Sequence, residues 1–409
     1  MKEMKRSGYN YLGSIPSNWN LQKGKFVYRI TTGKLDANAE EADGKYPFFT
    51  CSNTPKWINT FAFDCEALLV AGNGQVGFTQ YYNGKFNAYQ RTYVLSDFNY
   101  VQPGFLKYYV SALLSEYVAD ITVGSVIDFI KLDYLKDFIV AIPPEEEQKN
   151  ITRYLDNACS NIDETIKRHQ AIIEKITEYR MAVTISAVTK GIYNDLVNDS
   201  GEEWLGDIPK HWKVQRNRTL FEETNERGND QLPILMVSIN SGISDKEIPD
   251  EERTRSVKRS EDKSKYKRML PGDLVYNMMR AWQGAFGAAR VEGMVSPAYV
   301  TLRPIVELDS RYYEYLMRTD IAAQEFKKYS RGIRDFRLRL YYPEFRDIKV
   351  CVPPVEEQRE IADYLDRLYE QTETAIKQKQ LLIEKLEEYR KSIIYHAVTG
   401  KIDCREVSE

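Results

Sequence analysis

Side chains suited to metal or redox chemistry are scarce in this sequence. Its 409 residues include five cysteines (Cys51, Cys65, Cys159, Cys351, Cys404) and three histidines. The cysteines are an odd set without a Cys-x-x-Cys pair, so they have the spacing of neither a disulfide framework nor a zinc site. His169, His211 and His396 stand apart, with no nucleophile or acid in evident company. No run approaches the ~18 apolar residues of a membrane span, and Met1-Lys2-Glu3-Met4-Lys5 lacks an apolar signal core. A Gly-x-x-x-x-Gly-Lys-Ser/Thr phosphate loop is missing, as is the Asn-Pro-Pro-Tyr or Asp-Pro-Pro-Tyr run that amino-methyltransferases use. A basic excess is also missing. Lys and Arg number 57 against 60 Asp and Glu, a net −3, so any nucleic-acid surface has to come from local clustering. These absences describe a non-catalytic cytoplasmic chain with no cofactor or metal of its own.

What is present is a duplication. Residues 143–192 and 353–402 align without gaps at an offset of 210, with 22 of 50 positions identical. The first copy runs from Pro143-Pro144-Glu145-Glu146-Glu147-Gln148 to Ala187-Val188-Thr189, the second from Pro353-Pro354-Val355-Glu356-Glu357-Gln358 to Ala397-Val398-Thr399. A shorter echo opens each half: Leu12-Gly13-Ser14-Ile15-Pro16-Ser17-Asn18-Trp19 and Leu205-Gly206-Asp207-Ile208-Pro209-Lys210-His211-Trp212, offset by 193. Between these constant parts little aligns, except that Gly124 and Gly332 both precede an Asp-Phe pair (Asp128-Phe129, Asp335-Phe336). Like frames hold unlike inserts.

Each 50-residue repeat reads as one long helix. Pro-Pro and then glutamates suit a helix start, and no Pro or Gly intervenes before Gly191 and Gly400. Apolar residues recur at steps of four and three. The seam is Ile151, Leu155, Ile162, Ile172, Ile176 and Tyr179 in one copy, and Ile361, Leu365, Leu368, Leu382, Leu386 and Tyr389 in the other. Two equal seams in one chain can bury each other, and a duplicated half predicts an antiparallel pair about a pseudo-twofold axis. Polar Thr165, His169 and Lys379 interrupt the seam midway.

The inserts read as α+β recognition modules. The first has strands at Tyr46–Thr50, Ala67–Ala71 and Gln90–Leu95, turn signals at Asn73-Gly74 and Asn83-Gly84, and a helix near Phe105–Ala119. The second has strands at Ile234–Ser238, Asp273–Asn277 and Ala298–Leu302, then a helix near Ser310–Lys328. Gly72-Asn73-Gly74-Gln75-Val76-Gly77 matches a dinucleotide fingerprint, yet the β-rich run Phe78–Gly84 follows where that fingerprint needs a helix, so a glycine-rich hairpin loop is expected.

Basic and amide side chains cluster in the inserts. In the first they are Asn73, Gln75, Lys85, Asn87, Tyr89, Gln90 and Arg91. In the second, Arg255, Lys258, Arg259, Lys265, Lys267 and Arg280 belong to one cluster, and Arg331, Arg334, Arg337 and Arg339 to another. The run Arg337-Leu338-Arg339-Leu340 predicts a strand with both arginines on one face. Asn, Gln and Arg pair bidentately with base edges, while Lys and Arg neutralise phosphates. A DNA surface is the favoured reading, and a scaffold spacing two protein-binding domains is the alternative. The expected fold class is α+β: two α/β domains joined by two long helices in an antiparallel coiled coil, with a pseudo-twofold internal repeat. Its segments are 1–142, 143–192, 193–352 and 353–409.

Taken together, the paired Leu-Gly-x-Ile-Pro-x-x-Trp motifs and the doubled Pro-Pro-x-Glu-Glu-Gln helices resemble the specificity subunits of type I restriction–modification systems. Gly72-Asn73-Gly74 with Lys85–Thr92 is also similar to a recurrent type of target-recognition domain in that family. The resemblance covers nearly the whole chain. It implies two target-recognition domains, each reading half of a bipartite double-stranded DNA sequence, with the helices as spacer. It further implies docking of two methyltransferase (modification) subunits that use S-adenosylmethionine, with restriction subunits using ATP and Mg, in a prokaryotic cytoplasm.

Overall fold

The computed structural model describes residues 3–74, 77–121, 129–229, 231–239, 242–244, 265–332 and 338–405. Gln75, Arg255, Lys258, Arg259, Arg334 and Arg337 lie outside them, as do Asp128, Asp335 and Phe336. Two long helices, Glu145–Lys190 and Val355–Val398, carry the repeats. Carboxylates Glu145, Glu146 and Glu147 in one and Glu356 and Glu357 in the other occupy the first turn, where the dipole favours them. Gly191 and Gly400 end the helices in left-handed conformation, at φ of 74° and 71°. The chain forms two units: Met1–Gln170 with Gln380–Glu409, and Ala171–Lys379. Each unit therefore takes half of each long helix.

In the first unit a six-stranded sheet has the order Arg29–Thr32, Thr92–Ser96, Phe63–Ala71, Thr79–Ala88, Tyr46–Phe49, Lys56–Ile58. Pairing is antiparallel except where Thr79–Ala88 meets Tyr46–Phe49. Helix Pro103–Ile121 buries Phe105, Tyr109, Leu113 and Val118 in the same core as Leu68, Val70 and Leu95 of the sheet. In the second unit Phe221–Thr224, Tyr299–Pro304, Leu274–Asn277 and Phe286–Ala288 form a four-stranded sheet. Its order matches the first four strands of the other unit. In both, a strand following the Trp of the opening motif (Asn20–Lys23, Lys213–Arg216) pairs antiparallel with one preceding Pro-Pro (Ile139–Ile142, Lys349–Val352). The dissimilar inserts thus share a topology.

Local expectations needed correction in three places. Asn83-Gly84 is no turn; it sits inside Thr79–Ala88, where cross-strand pairing outweighs turn propensity. The stretch Ile234–Ser238 reduces to Val237–Ser238. The helix expected near Ser310–Lys328 is two, Ser310–Met317 and Asp320–Tyr329, because the Thr319 hydroxyl accepts from the Ala322 N–H and starts a new helix.

The repeated motifs fasten each insert to the helix of its own unit. Gln148 is buried. Its Oε1 accepts from the Gln102 N–H (2.7 Å), while its amide donates to the carbonyls of Tyr100 (3.0 Å) and Pro143 (2.9 Å). Gln358 does the same with the Asp309 N–H (2.9 Å) and the Pro353 carbonyl (2.9 Å). One turn or two further along, the Tyr108 hydroxyl donates to Asp156 and the Tyr315 hydroxyl to Asp366, each at 2.7 Å. The opening motifs pack on helix ends. Leu12, Ile15 and Trp19 share a core with Ile393, Ala397 and Val398, and Leu205, Ile208 and Trp212 share one with Ala187 and Val188. A Cβ on Gly400 would come within 2.4 Å of Pro16 Cγ, so only glycine fits under that motif.

Within each unit the two helical halves run antiparallel. In the first, Arg390 meets Asp163 while Val398 and Ala397 join the core of Ile151 and Leu155. In the second, Arg180 meets Glu373 and stacks on Tyr369, and Gly191 lies beside Glu357. The seam is only partly buried. Ile151, Leu155, Ile162, Ile361, Leu365 and Leu368 are interior, and Ile176 and Leu386 are half-buried. Ile172, Tyr179, Leu382 and Tyr389 are exposed, contrary to the seam reading. Interior positions lie where the insert packs on the helix; farther along, one neighbouring helix alone cannot cover them.

Candidate nucleic-acid interface

In each sheet two neighbouring antiparallel strands follow one another in sequence, Phe63–Ala71 and Thr79–Ala88 in one unit and Leu274–Asn277 and Phe286–Ala288 in the other. In the first unit Phe63–Ala71 leads through Asn73 and Gly74 into Thr79–Ala88, so Gly72–Gly77 connects a β-hairpin and a strand follows it. The Gly72 N–H donates to the Arg91 carbonyl (2.9 Å), and a Cβ on Gly72 would lie 2.3 Å from that oxygen. Glycine at 72 thus lets the turn carrying Tyr89, Gln90 and Arg91 close against the hairpin. Beside it, the Gln90 amide donates to Asp36 (2.7 Å), and the Gln80 amide donates to the carbonyls of Ser52 and Asn53 (3.0 Å each).

A second segment returns to this connection. The Ile130 N–H donates to the Gly72 carbonyl (2.7 Å), which sets Phe129 opposite Asn73. In the second unit the Leu340 N–H donates to the Met278 carbonyl (2.9 Å), placing Arg339 by Met279. Ile130 and Leu340 are buried and differ by the repeat offset of 210. Phe129 and Arg339 are therefore equivalent. The Asp-Phe pairs noted in the sequence are offset by 207, and Asp128, Asp335 and Phe336 lie outside the described residues.

Of the candidates in the first unit, Asn73, Gln90 and Arg91 gather at this edge, and Tyr89 is half-buried beside them. Asn87 is not a surface residue: it is buried, with its amide donating to the Thr60 carbonyl and its oxygen accepting from the Ala88 N–H. Lys85 lies elsewhere on the sheet, over the Phe61 ring and opposite Asp64. Asp36, Gln80 and Phe129 were not among the DNA-contact candidates from the sequence; Phe129 joins them as an exposed aromatic residue directly before buried Ile130.

In the second unit a cleft of about 880 Å³ is lined by Met279, Arg331, Gly332, Arg339, Tyr341, Pro343 and Glu344. Arg331 is ion-paired with Glu344. Arg280 donates to the Gln283 side chain (3.2 Å), and Lys327 lies 5.5 Å from the Trp282 ring. Arg339 is exposed and makes no side-chain hydrogen bond or ion pair among the described residues. It sits in a two-residue bridge to Arg331 rather than a strand, although buried Leu338 and Leu340 keep the alternation expected there. Lys265 is exposed. Lys267 lies 4.0 Å from Glu223 with its side chain 15% exposed, so little of it is available to a phosphate; burial also lowers its ammonium pKa.

Two histidines have partners the sequence did not reveal. His211 Nε2 lies 2.8 Å from Glu357, which also accepts from Trp212 Nε1 (3.0 Å), tying the opening motif to the helix. His396 Nδ1 lies 3.2 Å from Ser392, one helical turn away on an exposed face. Ala171, Ile172, Lys175, Ile176 and Tyr179 line a shallow, almost wholly apolar groove. The repeat restates it as Leu381, Leu382, Lys385, Leu386 and Tyr389. Tyr179 is 56% exposed and Tyr389 55%.

Comparison with known proteins bears directly on this arrangement. The type I restriction modification DNA specificity domain matches residues 16–178 and again 204–385. The chain is similar to the type I restriction enzyme EcoDI specificity subunit of Escherichia coli, at 25% identity over 96% of this chain and 90% of that protein. It is likewise similar to the MjaVIII specificity subunit of Methanocaldococcus jannaschii, at 23% identity over 96% and 95%. Its fold is similar to a chain of a type I R-M system solved in work on complex assembly and conformational transition (TM-score 0.67, 14% identity, covering 95% and 99%). It is also similar to the HsdS subunit of Thermoanaerobacter tengcongensis (TM-score 0.51, 14% identity, covering 97% and 100%). With two domain matches on two copies of one frame, the chain belongs to the family of type I restriction–modification DNA specificity subunits.

Proposed function

We propose that this chain is the non-catalytic DNA-reading subunit of a type I restriction–modification complex, each unit reading one half of a bipartite, gapped sequence. One observation carries the reading: the same four-strand order and the same return segment occur twice on one repeated frame, with different side chains where the return segment meets the strand end. A duplicated frame keeps two readers equivalent in support, and unlike edges give each its own target. Phosphate contacts position such a protein and base-edge contacts specify its target. The long helices act as the spacer; half-sites in one DNA face lie about one helical turn apart or a multiple of it, roughly 34–36 Å.

The apolar groove at Ile172–Tyr179 and the exposed apolar residues of its sequence counterpart, Leu382 and Tyr389, suit two copies of one partner, the modification subunits. S-adenosylmethionine would be bound there, and ATP and Mg in restriction subunits; this chain supplies sequence choice and assembly. The test is to map methylated adenines genome-wide in cells with and without this chain, then with residues 20–142 exchanged for the corresponding insert of a relative. A single bipartite motif that depends on the chain, with only one half altered by the exchange, is expected. A motif independent of the chain, or an exchange that changes both halves, refutes the proposal.

A further inference from the structure

We infer that Asn73 with Phe129 in one unit, and Arg339 with Met279 in the other, are the specificity-determining pairs that read base edges. The inference rests on the DNA-reading function above and assigns it to side chains. Each pair is fixed by the same backbone hydrogen bond, Ile130 N–H to Gly72 O in one unit and Leu340 N–H to Met278 O in the other. Asn73 and Met279 both stand two residues past the end of the equivalent strand, Phe63–Ala71 or Leu274–Asn277. Phe129 and Arg339 share the repeat offset of 210.

Each site thus holds one hydrogen-bonding and one apolar side chain, in exchanged positions. In the first unit the hairpin brings the amide and the return segment the ring; in the second the hairpin brings the thioether and the return segment the guanidinium. Phe129 is 56% exposed and Met279 42%. Large apolar side chains at a polar edge are poorly accounted for by the fold itself, but suit contact with a thymine methyl or insertion at a base step.

Neither polar member has a side-chain partner among the described residues. Asn73 makes no side-chain hydrogen bond among the described residues; its unpartnered Oδ1 lies beneath the surface, so pairing with a base requires the side chain to turn outward. Arg339 has no carboxylate partner among the described residues, whereas nearby Arg331 is already held by Glu344. That difference selects Arg339 over Arg331 as the base reader, since a neutralised guanidinium has less to offer guanine. Asn pairs bidentately with adenine N6 and N7, and Arg with guanine O6 and N7. The expected assignment is an adenine in the half-site read by the first unit and a guanine in that read by the second.

The test uses the whole complex, in cells that carry the modification subunits. Methylated adenines are mapped with the wild-type chain, Asn73→Ala, Arg339→Ala and the conservative Arg339→Lys. Each variant should lose discrimination at a single position in one half-site, with methylation of the original base falling roughly tenfold to a hundredfold relative to its competitors. Arg339→Lys should retain part of the guanine preference. Co-purification of each variant with the modification subunits separates a reading defect from a folding defect, and if a variant fails to assemble, Phe129→Leu or Met279→Leu serves in its place. Unaltered motifs in assembled variants, or changes in both halves at once, overturn this assignment and leave the DNA-reading function standing. A wild-type chain that confers no bipartite motif defeats the function itself.

Discussion

Asp163 and Arg390 form an ion pair at 3.0 Å, and the residues 210 positions away from each, Glu373 and Arg180, form another at 3.5 Å. The duplication therefore repeats an acid and a base within each copy, so that the acid of one copy meets the base of the other in each unit. This is the charge relationship expected of an antiparallel pair related by a pseudo-twofold axis. The partners of the Asp163–Arg390 pair are each close to half exposed, so its contribution is modest. Asp163→Lys should cost about 0.5–1 kcal/mol by placing like charges together. Adding Arg390→Asp should restore most of it, as measured by urea unfolding; a double variant no better than the single one shows that the pair is not coupled.

Gln148 and Gln358 offer a larger effect. Each is buried and holds backbone groups that have no other described partner there. Truncation to alanine strands those groups, and about 2–4 kcal/mol of stability should be lost. Gln148→Ala should be the worse of the two, because Gln148 holds Tyr100 as well. The shift in urea midpoint reads the difference.

Asp366 makes acid sensitivity specific. Burial works against its ionisation, but the Tyr315 hydroxyl and the guanidiniums of Arg290 and Arg311 outweigh burial and lower its pKa. A lowered carboxyl pKa stabilises the fold at neutral pH, and that contribution disappears as pH falls through the folded-state value, below about 4. Asp366→Asn should therefore be less stable at pH 7 and show a flatter decline as pH falls below about 4. Parallel curves for the two proteins would show that this carboxylate is not the titrating group.

Tyr179→Glu and Tyr389→Glu address the repeated apolar groove. Both side chains are more than half exposed, so stability should change by no more than about 0.5 kcal/mol. Co-purification with modification subunits should nevertheless fall, to one bound copy for either single variant and none for the double. Full recovery of both copies would place docking elsewhere.

The long helices lend themselves to a length test. Removal of seven residues from an exposed, continuous stretch of Glu145–Lys190 shifts the apolar pattern by one heptad and keeps its phase. The unmethylated gap in the recognised motif should shorten, or the complex should fail to assemble. An unchanged gap in an assembled complex disproves the ruler role.

Much of this organisation was legible in the sequence, since a period of 210 and two capped, glycine-terminated helices are local and repetitive signals. Direction was inferred from symmetry, and Arg390 beside Asp163 bears it out within its unit. The exposure of Ile172 and Tyr179 was not legible, because a heptad pattern reports which face is apolar and not what covers it. Asn87 misled for a similar reason: an amide in a polar-aromatic run looks available until cross-strand pairing buries it. Phe129 and Met279 gained meaning only through one backbone hydrogen bond each, to Gly72 and Met278, which no spacing rule encodes. The break at Thr319 was a missed cap, visible in Thr319-Asp320 but overridden by the long apolar pattern around it.

The fastening of both inserts through Gln148 and Gln358, which belong to the frame, has an evolutionary consequence. A gene built this way can trade one insert for a foreign one and still hold it by the same glutamine, without remodelling the scaffold or its partners. On the proposed function, exchanging a whole insert would change the sequence that is read while leaving the frame that holds it unchanged.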